Sequence, residues 1–194
     1  MKKTLLSLFL ISSFTLFAQS FSTGTQTLLS GLTANINIDA DTDITTLTLT
    51  GPSNAWFGIG FGNSDMNGTD IFMTTGSSIQ DSYSSSNGPP QPDASQDWTL
   101  VSNTLSGSNR TIVATRANNT GDSDDHIFSA SAGSLLVIYA KGSSTSYAYH
   151  GGNRGFTTLS VTLGIPENKL LSFEMYPNPA SDVLTVQLPT GTEK

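Results

Sequence analysis

Along most of this chain, apolar residues recur at every second position. Leu32, Ala34, Ile36 and Ile38 alternate with Thr33, Asn35 and Asn37. A period of two separates the two faces of an extended strand, so this stretch is expected to bury one face and wet the other. The same alternation runs through 44–50, 111–116 and 156–163. Shorter strands are expected at 25–29, 71–75 and 79–83, and 98–105 should form a hairpin with 111–116 around Ser106-Gly107-Ser108-Asn109. Leu135-Leu136-Val137-Ile138-Tyr139-Ala140 is unbroken and predicts a strand buried on both faces. Over 146–150, Tyr147 and Tyr149 are expected on one strand face, with Ala148 and His150 on the other. Turns rich in Gly, Asn, Ser and Asp separate these runs, and no stretch carries a helical period. Short strands at regular spacing predict an all-β fold, a β-sandwich.

One predicted strand departs from the pattern. In 56–62, Phe57, Ile59 and Phe61 form a core face, while Trp56, Gly58, Gly60 and Gly62 share the other. Glycine weakens a strand and offers nothing to pack. Two readings follow: a bulge or close contact between sheets, or a bed for a planar ligand. The next loop carries Met66, a soft thioether in a polar turn where no core needs it, and ends at Asp70. Met73, inside the following strand, reads as a core residue.

The 194 residues, 36% of them apolar, suffice for one domain with a core plus appendages. The net charge of -7 and the few, scattered basic residues leave no nucleic-acid footprint, and an anionic membrane surface would repel the domain. The chain has no cysteine, which removes disulfides and the covalent attachment of c-type haem. Met1-Lys2-Lys3, an apolar run over 5–17 and Ala18 read as a signal peptide over 1–19, too short to span a membrane comfortably. The expected organisation is then a sandwich over 20–163, a linker over 164–172 and a partial small β module over 173–194. No transmembrane segment is expected in the mature chain.

Little catalytic chemistry is legible. There is no Gly-x-Ser-x-Gly elbow, and Asn63 stands where a dinucleotide fingerprint would need its third glycine. Two histidines and no cysteine are too few for a zinc centre. Asp39, Asp41 and Asp43 lack the glycine and distal glutamate of an EF-hand loop and read as a solvated turn. Asp122, Asp124 and Asp125 form a polar turn with some capacity for a cation, and His126 beside them is expected at the surface or capping the turn. The 84–96 loop is long enough to suggest a role of its own. One combination stands out. Met66 in its loop and His150, each near glycine, are the two neutral donors of His/Met haem ligation. Iron held that way keeps no open position and passes electrons. Trp56, Tyr147 and Tyr149 offer rings for a porphyrin, and Arg154 a cation for a propionate.

Trp56-Phe57-Gly58-Ile59-Gly60-Phe61-Gly62, Met66-x-Gly68-x-Asp70-Ile71, Asp81-x-Tyr83, Pro92-Asp93, Asp122-x-x-Asp125 and Tyr149-His150-Gly151-Gly152 together resemble a DOMON domain over 32–163. The resemblance implies an immunoglobulin-like β-sandwich that binds haem or sugar. In cytochrome-type members the axial ligands are a Met in the loop after the Trp-Gly strand and a His near the end of the domain. Met66 and His150 fall at those places. The resemblance thus implies haem b held by Met66 and His150, with Trp56, Gly58, Gly60, Tyr149 and Arg154 around it. It also implies a redox partner protein that exchanges single electrons with it. The alternative is a non-catalytic module binding a surface glycan without haem; neither reading makes the chain an enzyme. Tyr176-Pro177-Asn178-Pro179, with Leu184, Val186 and Leu188, is similar to the start of a type IX secretion sorting domain of Bacteroidota. That implies the type IX secretion machinery as a partner and a secreted or outer-membrane surface location.

Overall fold

The structure, a computed structural model, describes residues 19–164, together with 174–176 and 185–187. Residues 1–18 of the expected signal peptide, residues 165–172 of the expected linker and the Pro177-Asn178-Pro179 turn lie outside the described residues. Every regular element among the described residues is a strand. The chain opens with β1 (Ser20–Ser22), β2 (Gln26–Leu29), β3 (Leu32–Asp39) and β4 (Ile44–Pro52). A second group follows: β5 (Phe57–Phe61), β6 (Thr69–Thr75), β7 (Ser78–Ser84) and the short β8 (Gln91–Pro92). Then come β9 (Thr99–Ser106), β10 (Asn109–Ala117), β11 (Gly133–Lys141) and β12 (Arg154–Gly164). They form one twelve-stranded sheet in the order β8-β7-β6-β5-β11-β12-β1-β3-β4-β10-β9, with β2 beside β3.

The sheet curls over at β12, leaving β8 and β9 as its two edges. Residues Arg154 to Val161 of β12 pair with β11, and Thr162 to Gly164 pair with β1. Side chains from the two halves then share one core. Phe57, Ile59, Phe61 and Phe72 lie in it with Ile36, Leu47, Leu49 and Ile112. This is the β-sandwich that the sequence predicts. Full burial of each such side chain contributes about 1.5–3 kcal/mol.

Strands β3, β4 and β10 keep the plain alternation of buried and half-buried residues. Strand β5 does not: all its positions are buried, as are all but the last of β6. Their inner face meets the core, and loops cover their outer face. The expectation of two buried faces for 135–140 fails in detail. Leu135 and Val137 are buried, but Ile138 and Ala140 are half-buried because they face a cavity under those loops. The strand expected at 146–150 is also absent. These residues form the loop between β11 and β12. At the C-terminal end, β13 (Glu174–Tyr176) pairs antiparallel with β14 (Thr185–Gln187).

Candidate functional site

Sheet register builds the floor of a cavity of about 640 Å³ on the outer face of β5, β6, β11 and β12. Two rows of residues cross these strands. One runs Met73, Gly58, Ala140, Arg154, and the other Ile71, Gly60, Ile138, Phe156. Each row takes one residue per strand, all of the same parity, so all eight face the same way. The volume suits a small molecule or cofactor.

Loops overhang this floor from opposite ends. The connection from β5 to β6 brings Ser64, Asp65 and Met66 over the end marked by Phe61 and Thr69. The connection from β11 to β12 brings Tyr147, Tyr149 and His150 over the end marked by Phe57 and Lys141. Those two ends lie about 13 Å apart, four residues of strand at about 3.3 Å each. Asn87, Gly88, Pro89 and Pro90 close a third side, so the long 84–96 loop is a wall of the cavity. Trp56 enters just before β5 and packs its ring against Tyr147, centroids 5.0 Å apart.

Met66, His150, Trp56, Gly58, Gly60, Tyr149 and Arg154, the residues singled out in the sequence, all line this one cavity. Met66 and His150 are half-buried. Nδ1 of His150 lies 3.0 Å from the carbonyl oxygen of Gly151. When that nitrogen carries the proton and donates, Nε2 keeps its lone pair free for a metal. Arg154 donates to the Tyr149 hydroxyl at 3.2 Å. Tyr149 is 77% exposed and Phe156 62%, so the mouth is aromatic and wet. Apolar walls, an imidazole, a thioether and one guanidinium fit a haem b group.

Three expectations need correction here. Gly62 does not face the cavity. It leaves the strand at φ +85°, and a Cβ there would lie 2.9 Å from Nδ1 of His126. Met73 is buried but belongs to the cavity floor rather than the core, because it pairs with Gly58. The glycine strip is not empty either. A Cβ on Gly58 would meet the Phe72 carbonyl oxygen at 2.7 Å, and one on Gly60 the Thr69 Cγ2 at 2.7 Å. These neighbours lie on β6 and β11 of the same sheet, not on a facing sheet, so crowding between adjacent strands holds both positions to glycine while both still line the cavity.

A second polar assembly, which sequence reasoning missed, lies on the inner face. Arg116 is fully buried, with Nη2 2.8 Å from Asp70 and Nη1 2.9 Å from Asp125 and 3.8 Å from Asp81. Its guanidinium also lies over Trp98 at 4.7 Å and Phe128 at 5.1 Å. Asp70 accepts from the backbone N–H of His126 at 2.9 Å, and Arg116 donates to the His126 carbonyl at 2.9 Å. Three carboxylates surround one cation. Burial, then the neighbouring Asp70 charge, pushes the Asp81 carboxyl from its ordinary 3.8 up to about 7. Burial also raises Asp70 despite Arg116. The signal for Arg116 was available: Ile112, Ala114 and Arg116 share the buried parity of β10.

His126, expected at the surface or capping the turn, is not at the surface. It is half-buried, stacked on Phe61 at 6.3 Å and edge-on to Phe128 at 5.1 Å. Burial and the Arg116 charge lower its pKa. The acidic turn divides accordingly. Asp125 joins Arg116, whereas Asp122 and Asp124 lie with Asp93, carboxylate oxygens within 4.8 Å of one another.

A family model described as the DOMON domain matches residues 29–142, more than half of the chain. The chain belongs to the DOMON family. Among solved structures it is similar to the cytochrome domain of Myriococcum thermophilum cellobiose dehydrogenase, at 14% identity and a TM-score of 0.54. That match covers 69% of this chain and 76% of the other. It is also similar to the cytochrome b domain of pyranose dehydrogenase from Coprinopsis cinerea, at 17% identity and a TM-score of 0.49, covering 66% and 76% of the two chains. The first match shows that this DOMON chain shares the fold of that domain. No curated protein sequence matches the chain. Among the described residues no helix is long and apolar enough to cross a membrane.

Proposed function

We propose that this DOMON domain binds haem b in the outer cavity and exchanges single electrons with a partner protein. The observation that carries this reading is that Met66 and His150 overhang one apolar floor from opposite ends. A planar group between them would meet the thioether on one side and the imidazole on the other. The Gly151 carbonyl orients His150, the rings of Trp56, Tyr147 and Tyr149 supply walls, and Arg154 sits at the end of a floor row where a propionate would meet it. Bound there, the group supplies a low-spin, one-electron couple with a raised potential and no position open to substrate. The cytochrome domain of cellobiose dehydrogenase, similar in fold, supports the reading by analogy.

The same reading includes export. Residues 1–19 serve as a signal peptide, and 173–194 as the opening of a type IX sorting domain, supported by Lys2-Lys3 with its apolar run and by Tyr176-Pro177-Asn178-Pro179. The test of the cofactor is the absorption spectrum of the full chain, oxidised and reduced, after expression with haem. A stoichiometric Soret band and a sharp reduced α band are expected. The low-spin spectrum with its sharp α band should be lost in Met66→Ala and in His150→Ala. A second reading rests on the exposed ring of Tyr149: a haem-free module that stacks sugars at the cavity mouth. A colourless protein that refuses added haem but binds a glycan would select it.

A further inference from the structure

The connection that carries Met66 is polar and exposed at nearly every other position, yet it holds one apolar side chain over the cavity. Its closure is built from side chains. The Asn63 amide nitrogen donates to the carbonyl oxygens of Asn67 at 3.2 Å and Gly68 at 2.9 Å. Thr69 donates its hydroxyl to the Asp65 carbonyl at 2.7 Å, and the Asp65 carboxylate accepts the Asn67 N–H at 2.8 Å. The Gly68 N–H then ties the end of the loop to the Ser84 carbonyl at 2.6 Å. Met66 lies between the pinned residues Asp65 and Asn67.

Thr69 and Asn63 reach across this loop in different ways. Thr69 is fully buried in β6, with its methyl close to Gly60, so its replacement would disturb the sheet as well. Asn63 is half-buried, is no part of the cavity lining, and spends both of its amide N–H donors on the far side of its own loop.

We propose that Asn63 is a positioning residue: its amide closes the loop that presents Met66 to the cavity. What Met66 does there rests on the haem reading; how the loop is closed does not. Asn63→Asp keeps the shape but turns the two donors into a carboxylate facing two carbonyl oxygens, and Asn63→Ala removes them.

The experiment is amide hydrogen exchange on the full chain without haem, followed by spectra and potential of the haem-loaded chain. In both variants the Gly68 N–H should exchange roughly tenfold faster while the amides of β11 keep their rates. Once loaded, the reduced variants should bind carbon monoxide, which the wild type excludes, and their midpoint potential should fall because the thioether no longer holds the iron. Unchanged exchange at Gly68 in both variants overturns the proposal. So does faster exchange with a wild-type spectrum, potential and refusal of carbon monoxide. A wild type that takes up no haem rejects the haem reading, and faster exchange at Gly68 in the variants then still supports the Asn63 closure.

Discussion

The two polar-to-apolar contrasts in this molecule run opposite to expectation. A dense charge cluster, Arg116 with Asp70, Asp81 and Asp125, is sealed inside the sandwich, while an apolar hollow of about 640 Å³ opens to solvent on the outer face. The two regions share strands. In β6, Asp70 and Phe72 point inward, and Ile71 and Met73 point outward. The inner assembly draws its charges from β6, β7, β10 and the turn after it and adds backbone bonds to His126, although Nε of Arg116 and one carboxylate oxygen each of Asp70 and Asp81 stay unpartnered. The outer cavity is lined mainly by apolar side chains and glycines, with few polar groups, among them Arg154 bonded to the Tyr149 hydroxyl and His150 beside the Gly151 carbonyl. A sealed charged cluster ties several strands together, whereas an apolar hollow under loops ties few, and on the proposed reading it serves binding. Removing residues from the first should therefore damage stability, and from the second only binding.

The sharpest break in this comparison is Arg116→Met. It leaves three buried carboxylates without their cation, and a loss of about 3–5 kcal/mol is expected in chemical denaturation. Arg154→Met, at the exposed end of a floor row, should change stability by less than about 0.5 kcal/mol. Equal losses in the two variants would end the contrast. Gly60→Val comes next. Its side chain would meet Thr69 at 2.7 Å and Ile138 at 2.8 Å, so overpacking should cost about 1–3 kcal/mol while narrowing the cavity. A variant of full stability would mean that the sheet has room which the register denies.

Asp81 sharpens the comparison through pH. Its carboxyl is raised from 3.8 to about 7 in the folded chain. Below pH 4 both states are protonated. Between about 4 and 7 the unfolded chain releases this proton and the folded chain keeps it, so stability falls as pH rises, by about 1.4 kcal/mol per unit for a full proton. Asp81→Asn should flatten that slope, read from denaturant midpoints across the range; an unchanged slope would place the titration elsewhere. The smallest expected stability change belongs to the cavity. His150→Ala and Met66→Ala should each shift the denaturation midpoint by less than about 0.5 kcal/mol while abolishing the low-spin spectrum. A large stability loss in either haem-free variant would make it a structural residue.

The grouping of Met66, His150, Trp56, Gly58, Gly60, Tyr149 and Arg154 was legible in the sequence, and these seven line one cavity. A methionine in a polar loop and a histidine before paired glycines are local anomalies, and anomalies stand out against a regular alternation. The misreadings have a common cause. Met73 looked like core because an apolar residue in a strand carries no mark of which layer it faces. Gly62 was assigned to the ligand face by parity, but the strand ends one residue earlier and the chain turns it toward His126. His126 looked wet because its sequence neighbours are acidic, whereas its neighbours in space are Phe61 and Phe128.

What the chain by itself determined was local: where strands run, which face of each is apolar, where turns interrupt them, and which residues carry unusual chemistry. The period of two needs only neighbours in sequence, and burial enforces it. What tertiary structure alone decided was adjacency. Pairing β5 with both β6 and β11 lines up two rows of floor residues and sets the Met66 and His150 loops at opposite ends. Folding β10 over the same layer puts Arg116 among aspartates far from it in sequence. Strand pairing is non-local: alternation specifies the face that a residue presents, while the partner across that face is chosen only when the whole sheet assembles.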